Sequence, residues 1–194
     1  MPMPEAGRVI AGTARGIRLE GAPSGTRPLA DRVKQALFAS LEAEGALSDG
    51  FLDLYAGTGA AGIEALSRGA ERATFVERDR AAQTSIKANL RRAKLYGRVV
   101  GNDVLRYLAA GRPAGDPPYK AGLADPPYDL PLLQPTLELL ADPQRGWLAE
   151  GAVVVAKHFW RDAPTEVVGM LKVDRQRRFG ETMLTFYRHT PEAT

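Results

Sequence analysis

The 194-residue chain has the length of one compact domain with a full-sized core and room for a small N-terminal extension. Its hydrophobic content of 44% and charged content of 25% are ordinary for a globular protein, and the absence of cysteine excludes disulfides and thiolate metal sites. The net charge of +3 gives only a mild preference for an anionic partner.

The N-terminal part of the chain predicts a hairpin followed by an amphipathic helix. It begins without an apolar signal segment, and no apolar run approaches the roughly 20 residues that cross a bilayer, so we expect a cytoplasmic protein. Residues 8–20 predict a β-hairpin whose turn is bracketed by Gly12 and Gly16. After a turn-rich segment at 21–28, the spacing of apolar residues predicts a helix over 31–43.

Strands and helices alternate from residue 50 onward, which is typical of a parallel sheet covered on both faces. The predicted strands are 51–55, 72–76, 97–101, 120–124, 151–157, 171–178 and 182–188, and the predicted helices are 61–68, 80–94, 103–110, 131–141 and 163–169. We therefore expect an α/β Rossmann-like domain at 29–194, with a mostly parallel seven-stranded sheet and one antiparallel strand, preceded by a β-hairpin extension at 1–28.

A glycine-rich loop follows the first strand of this domain and begins the next helix. The motif runs from Asp53 through Gly57 and Gly59 to Gly62, and such glycines let backbone N–H groups lie against a nucleotide-like ligand. Glu77 ends the second strand, where an acid typically accepts hydrogen bonds from ribose hydroxyls. Asp53 would repel a pyrophosphate, so the two acids favour S-adenosylmethionine, a cation, over NAD. A tight turn without a ligand is the alternative.

The candidate cofactor residues lie in this loop and at the ends of the second and third strands. Asn102 and Asp103 follow the third strand, where they either bind the adenine amino group or cap the next helix. The full set is Asp53, Tyr55, Ala56, Gly57, Gly59, Glu77, Arg78, Asn102 and Asp103.

The tetrapeptide Asp-Pro-Pro-Tyr occurs twice, at 116–119 and at 125–128. A carboxylate and a backbone carbonyl can accept the two N–H bonds of an exocyclic amine, prolines stiffen that carbonyl, and tyrosine can stack on an extruded base. Only the second copy follows a predicted strand, which would place it beside the cofactor at the C-terminal edge of the sheet. We therefore interpret the first copy as a turn and predict that the catalytic residues are Asp125, Pro126, Pro127 and Tyr128.

These motifs and the N-terminal segments resemble those of one family. The hairpin sequence from Arg8 to Gly16, the segment from Arg27 to Phe38 and the two motifs above are similar to the RsmD family of class I S-adenosylmethionine-dependent methyltransferases. The chain departs from the family pattern at Leu29 and Ala30, where a threonine is usual, and in its duplicated tetrapeptide. The resemblance implies methylation of a guanine N2 in 16S ribosomal RNA, in the head hairpin loop near the P site. It also implies that the small ribosomal subunit or its assembly intermediate is the substrate.

Basic residues are concentrated near both ends of the chain, in the first 34 residues and at 172–178. They form one phosphate-binding face if the termini meet; otherwise they are ordinary solvated surface. Given the resemblance, we expect ribosomal RNA and the small subunit as partners, a monomer, and neither a metal nor a membrane. The candidate RNA contacts are Arg8, Arg15, Arg27, Arg32, Lys157, Arg175 and Arg177.

The predicted reaction is in-line attack of the base nitrogen on the sulfonium methyl, with Asp125 and the Pro126 carbonyl holding the amine. Three alternatives remain. A DNA adenine-N6 or cytosine-N4 methyltransferase uses the same motif but usually carries a separate target-recognition domain, for which 194 residues leave no room. The others are a protein glutamine methyltransferase and a non-catalytic RNA-binding module, although the intact acids argue against loss of catalysis.

Overall fold

The structure is a computed structural model that describes residues 5–21, 29–128 and 131–190. Its first element is the N-terminal hairpin. Strands β1 (Glu5–Arg8) and β2 (Arg18–Glu20) pair antiparallel and form a two-stranded sheet of their own, which confirms the predicted hairpin. Arg27, a candidate RNA contact, lies outside the described residues.

Strands and helices alternate through the rest of the described chain. The strands are β3 (Gly50–Leu54), β4 (Arg72–Val76), β5 (Arg98–Val100), β6 (Tyr119–Ala124), β7 (Leu148–Phe159), β8 (Val167–Val168), β9 (Leu171–Phe179) and β10 (Thr182–His189). The helices are α1 (Asp31–Ala43), α2 (Ala60–Ser67), α3 (Arg80–Ala93), α4 (Val104–Ala109) and α5 (Leu133–Ala141), with a 3₁₀ turn at Pro143–Arg145. None of the helices described is long and apolar enough to cross a membrane.

The eight strands from β3 onward form one sheet in the order β5-β4-β3-β6-β7-β10-β9-β8. The first five strands in this order are parallel, β10 is antiparallel to both of its neighbours, and β8 is antiparallel to β9. The mostly parallel sheet is therefore confirmed, although it contains one short strand more than the predicted seven.

The additional strand replaces the predicted helix at 163–169, and that prediction was wrong. Val168 pairs with Leu171 at the edge of the sheet. The segment has little capacity to form a helix, because Pro164 and Gly169 lie near its ends and two β-branched valines lie between them.

Two hydrophobic layers cover the sheet, because successive strand residues face opposite sides. One layer contains Phe38 of α1 and Ile63 of α2, which belong to the same buried cluster as Phe75 of β4. The other contains Leu137 of α5 and the fully buried Trp147. Both faces of the central strands are thus buried, which explains the continuous apolar run in β7.

The hairpin is joined to the larger sheet domain through the buried carboxylate of Glu64 in α2. Its two oxygens accept hydrogen bonds from the N–H groups of Ile10 and Ala11, at 2.8 and 3.0 Å. The Arg68 guanidinium lies 2.8 Å from this carboxylate and the Lys34 ammonium lies 3.6 Å from it. A buried carboxylate is tolerated when its charge and its lone pairs are both satisfied, and here they are.

Lys34 is consequently a structural residue, although it belongs to the N-terminal basic cluster of the sequence. Its side chain is fully buried, and its ammonium also donates a hydrogen bond to the Arg8 carbonyl. Burial lowers the pKa of Lys34, while the charges of Glu64 and Asp31 oppose this shift.

Replacing Glu64 by alanine should lower the free energy of unfolding by about 3–5 kcal/mol, since two cations and two N–H groups would lose their partner. Glu42→Ala is the matched control, because Glu42 pairs with the same Arg68 but its side chain is 44% exposed. We expect Glu42→Ala to lower the free energy of unfolding by less than about 1 kcal/mol. Urea unfolding followed by circular dichroism measures both, and equal effects would contradict the proposed role of Glu64.

Candidate active site

The register of the parallel strands aligns five strand ends at one edge of the sheet. Leu54 of β3 is paired with Val76 of β4 and with Ala124 of β6. Val76 is paired with Val100 of β5, and Ala124 with Ala156 of β7. The residues that follow these positions therefore form a row along the carboxyl edge: Glu77, Tyr55, Asp125 and Lys157, with Gly101 beyond Glu77.

Asp53 caps helix α2 from within strand β3. Its Oδ2 accepts the Gly62 N–H at 2.8 Å, and the residue is only 2% exposed. The N-cap residue of α2 is Gly59, which has no side chain that could cap the helix and has a φ of +79°. A Cβ on Gly62 would lie 2.3 Å from the Phe75 ring, so this glycine allows the helix to approach the sheet closely.

The charge of Asp53 is poorly solvated. Burial raises its pKa well above the usual value, the Gly62 N–H opposes this shift, and the carboxylates of Asp125 and Glu77 add to it. The expectation that Asp53 attracts a cationic cofactor stays a prediction, and the structure adds the capping role to it.

Glu77 is held in place by the glycine loop. Its Oε2 accepts the Gly57 N–H and its Oε1 accepts the Asp79 N–H, both at 2.8 Å. The Ala56 N–H donates to the Val76 carbonyl at 3.1 Å, which fixes the start of the loop. Gly57 has a φ of +54°, and a Cβ there would meet no atom within 4 Å, so the loop faces open space beside the Glu77 carboxylate.

Tyr55 has a strained backbone at the centre of the row. Its φ of 59° lies in the left-handed region that non-glycine residues seldom adopt. Its hydroxyl lies 2.7 Å from Thr136 Oγ1, and the Thr136 hydroxyl donates to the Leu132 carbonyl, so Tyr55 is the donor of the first bond. This bond anchors the mouth of the site to helix α5.

Asn102 and Asp103 lie at the start of α4, where the capping alternative is confirmed for Asp103. Its Oδ1 accepts the Arg106 N–H at 3.0 Å, and the Asn102 Oδ1 accepts the Asp103 N–H at 2.9 Å. Contact of this pair with adenine stays a prediction. The same holds for cofactor contact by Arg78, whose side chain is exposed.

The second Asp-Pro-Pro-Tyr copy follows strand β6, as predicted. Lys157 Nζ donates to Asp125 Oδ1 at 2.6 Å and lies 4.9 Å from the centre of the Tyr128 ring. The side chains of Asp125 and Lys157 are 24% and 14% exposed. Pro126 is buried, whereas Pro127 and Tyr128 are exposed at the surface.

The pKa values of Asp125 and Lys157 are both raised overall, for different reasons. Burial raises the pKa of Asp125, whereas the charge and hydrogen bond of Lys157 lower it. For Lys157, burial alone would lower the pKa, but Asp125 and Tyr128 outweigh it and raise the pKa overall. Among the described residues no donor is bonded to Asp125 Oδ2, which leaves this oxygen to accept a hydrogen bond from a ligand.

An open cleft of about 510 Å³ begins at the tetrapeptide. One wall is formed by Pro126, Pro127 and Tyr128, and the facing wall by the segment 157–165, which includes Phe159. The combination of an aromatic wall, two prolines and an anchored carboxylate suits a planar, amino-bearing group such as an extruded base.

The first tetrapeptide copy has a different environment: a turn closed by the Asp116 N–H and the Pro113 carbonyl ends at its first residue, and its last residue begins a strand. Asp116 pairs with Arg98 at 2.7 Å on the surface. Tyr119 begins β6, is 1% exposed, and lies 2.7 Å from Thr74 Oγ1 with the Arg72 guanidinium 4.4 Å above its ring. This copy lies at the amino end of β6, at the opposite edge of the sheet from Asp125.

The predicted RNA-contact residues do not form one uniform patch. The Arg8 Nε lies 3.2 Å from Asp31, and Arg32 lies over the ring of Phe179 at 6.0 Å. That second contact brings the N-terminal cluster against the end of β9, so the two basic segments meet there. Arg15 is exposed in the hairpin turn, next to Ala14, whose N–H donates to Ser67 at the end of α2. This places Arg15 towards the edge of the sheet opposite the catalytic row.

The other predicted RNA-contact residues lie on the late strands. Arg175 pairs with Glu44 and lies 4.4 Å above the Phe186 ring, which gives it a structural partner, whereas Arg177 is exposed. Lys157 lies inside the site beside Asp125 instead of on an outer phosphate-binding surface. Contact of these residues with RNA stays a prediction.

An aromatic group beside the cleft was not anticipated. The ring of Trp160 contacts two guanidinium groups, that of Arg178 at 3.9 Å and that of Arg161 at 4.8 Å from the ring centre. The signal for it in the sequence is the run of Lys157, His158, Phe159 and Trp160 directly after the apolar stretch of β7. In the part of the chain that the structure describes, no group of three or more His, Asp or Glu side chains could hold a metal ion.

Comparison of the sequence with models of known protein families identifies the family of this chain. The chain matches the model of the family described as conserved hypothetical protein 95 over residues 7–188. The chain belongs to this family, the RsmD family. The site described above is thus the candidate active site of an RsmD-family protein.

Individual relatives cover nearly the whole chain. The YlbH protein of Bacillus subtilis (strain 168) is 38% identical over 93% of this chain and 98% of its own length. Ribosomal RNA small subunit methyltransferase D of Escherichia coli (strain K12) is 35% identical over 93% of this chain and 89% of its own. The solved structure of the yhhF protein of Escherichia coli has a TM-score of 0.82 and 33% identity, and covers 95% of this chain and 98% of that one.

The buried Asp53 predicts a pH dependence of stability. Because its pKa is raised in the folded state, the folded protein binds more protons than the unfolded chain above the unfolded pKa, so this group's contribution to stability falls as the pH rises. Asparagine cannot ionise, so Asp53→Asn should gain stability relative to the wild type from about pH 4 upward. Urea unfolding of both proteins without ligand at several pH values measures this, and a pH-independent difference would contradict it.

Proposed function

We propose that the protein transfers a methyl group from S-adenosylmethionine to the exocyclic N2 amine of a guanine in 16S ribosomal RNA, in the head hairpin loop near the P site. The substrate is the small ribosomal subunit or its assembly intermediate, in the cytoplasm. The observation that carries the proposal is the row of strand ends, which brings Asp125, Lys157 and Glu77 to one edge beside the glycine loop. Family membership supports the choice of ribosomal RNA as substrate.

The residues at this edge fit S-adenosylmethionine, the cofactor. Gly57 leaves open space beside Glu77, whose carboxylate can accept hydrogen bonds from ribose hydroxyls, and Asp53 adds negative charge below the loop. When bound, the cofactor supplies an electrophilic methyl group on a sulfonium. Because both acids disfavour an anionic diphosphate, the same charges select against dinucleotides.

Asp125 and Pro126 position the amine. Asp125 Oδ2 and the Pro126 carbonyl would each accept one amine N–H, which directs the nitrogen lone pair out of conjugation with the ring. Proline contributes no competing N–H at this position. Lys157, bonded to Oδ1, opposes the rise that burial causes in the pKa of Asp125 and so favours the ionised carboxylate, the better acceptor.

Tyr128 and the cleft hold the base itself. The Tyr128 ring is 43% exposed at the cleft mouth, and its face away from Lys157 is available for stacking. Positioning supplies much of the rate of such a transfer, because the methyl donor already carries its leaving group.

Asp125→Ala should reduce methyl transfer by at least about 10²-fold, because an oriented acceptor is lost, while cofactor affinity changes little. Transfer is measured with radiolabelled cofactor on small subunits from a strain that lacks this protein, and cofactor binding by calorimetry. Asp116→Ala in the first tetrapeptide copy is the matched control and should retain activity. Absence of label in RNA with the wild type, or label in a protein, would refute the proposed function.

Lys157→Gln should move the acidic limb of the pH–rate profile to higher pH. Lys157 lowers the pKa of Asp125, so without it the carboxyl becomes protonated, and loses its acceptor oxygen, at a higher pH. Lys157→Arg keeps the charge and should shift the limb less. An unshifted limb in Lys157→Gln, with reduced activity at every pH, would indicate that Lys157 acts only through packing.

A further inference from the structure

A surface distant from the active site combines three lysine and arginine side chains with one exposed aromatic ring. Lys87, Arg91 and Lys94 occupy positions i, i+4 and i+7 along α3 and its C-cap, so their side chains lie on one face. All three are exposed, and none forms an ion pair with a carboxylate of the described residues. We call these residues, together with Tyr96, the α3 patch.

Tyr96 is held out to solvent by a well-defined turn. The side chain is 91% exposed, more than any other large hydrophobic residue described. Lys94 has a φ of 55° and ends the helix, and the N–H groups of Lys94 and Leu95 donate to the Arg91 and Leu90 carbonyls at 3.1 and 3.0 Å. Because these hydrogen bonds fix the backbone at the end of α3, they also fix the point from which the exposed Tyr96 ring projects.

The α3 patch surrounds an open cleft of about 600 Å³. Its floor is apolar, formed by Leu90, Leu95 and Val99, and no acidic residue lines it. A cleft with an apolar floor, a cationic rim and a free aromatic ring matches the way proteins hold single-stranded nucleic acid, with phosphates on the rim and a base on the ring.

The α3 patch is distant from the catalytic row. Helix α3 begins after the carboxyl end of β4 and runs about 20 Å to the opposite edge of the sheet, where β5 begins at Arg98. Asp125 follows β6, which is three strand spacings from β5, or about 14 Å across the sheet. The two offsets combine to about 24 Å, so a nucleotide held at Asp125 cannot also fill this cleft, and the separation corresponds to roughly seven stacked nucleotides.

We propose that the α3 patch is a second RNA-binding site, which holds the phosphate backbone and one unstacked base of a segment several nucleotides away from the modified one. The inference rests on the proposed function, since it assigns RNA as the ligand. An acidic protein segment is the competing occupant. RNA is favoured because Tyr96 offers a stacking face and the rim offers three cations without an adjacent acid.

The test compares two charge-matched variants. The patch variant is Lys87→Gln, Arg91→Gln and Lys94→Gln; the control is Arg80→Gln, Arg106→Gln and Lys120→Gln, which removes three charges from exposed positions outside the patch and outside both basic clusters. Filter binding measures affinity for small subunits and for 16S RNA stripped of protein, over a range of salt concentrations. We expect the patch variant to bind stripped RNA at least about tenfold more weakly, with a salt slope smaller by about 3, and to keep wild-type cofactor affinity.

Tyr96 is tested separately. Tyr96→Ala should weaken RNA binding about tenfold with an unchanged salt slope, and Tyr96→Phe should behave like the wild type because stacking is preserved. Equal binding of stripped RNA by the patch variant and its control would overturn the proposal. A defect seen only with intact subunits would overturn it in favour of a protein partner. Failure of the proposed function is a separate result: the wild type would then label no RNA, whatever the binding data show.

Discussion

The parallel register of strands β3 to β7 is the constraint on which the site depends. Since carboxyl ends of parallel strands lie at one edge, residues far apart in the chain become neighbours, as Asp125 and Lys157 illustrate. A slip of one residue between β6 and β7 would turn Lys157 to the other face and leave Asp125 as a buried, unpaired charge. The apolar residues that fix the register therefore fix the electrostatics of the site as well.

The hairpin extension is joined to helix α2 of the sheet domain by a polar contact, and there is a physical reason why this contact is polar. An apolar contact would leave the N–H groups of Ile10 and Ala11 without acceptors, because the chain passes over α2 without forming a ladder there. Glu64 satisfies them, and Lys34 and Arg68 balance its charge. Hydrogen bonds and ion pairs are directional, so this network fixes the orientation of the hairpin on α2, whereas an apolar contact would let the hairpin shift along the helix.

Periodicity in the sequence predicted most elements of the larger sheet, because their cores are apolar and their turns contain glycine or proline. Periodicity gave the wrong element at 163–169, where the local proline, glycine and valine content and the pairing with β9 at the sheet edge determine the structure. At the site, the prediction that Asp125 follows a strand and Asp116 does not is confirmed, but the pairing of Lys157 with Asp125 and of Thr136 with Tyr55 was not predicted. Those pairings depend on strand order and on the placement of α5, and a single sequence contains no signal for the order in which parallel strands are laid down.

The charges at the carboxyl edge explain why a cationic cofactor suits this site. Asp53, Glu77 and Asp125 lie close enough that two of them raise the pKa of the third, and the one cation paired within this group, Lys157, is committed to Asp125. The ligand-free edge therefore carries unfavourable repulsion between carboxylates that folding alone does not relieve. A bound cation removes that repulsion, whereas an anion adds to it. The same burial that makes Asp53 costly to ionise also excludes water, so the attraction for a sulfonium and an ammonium is screened less than it would be at the surface.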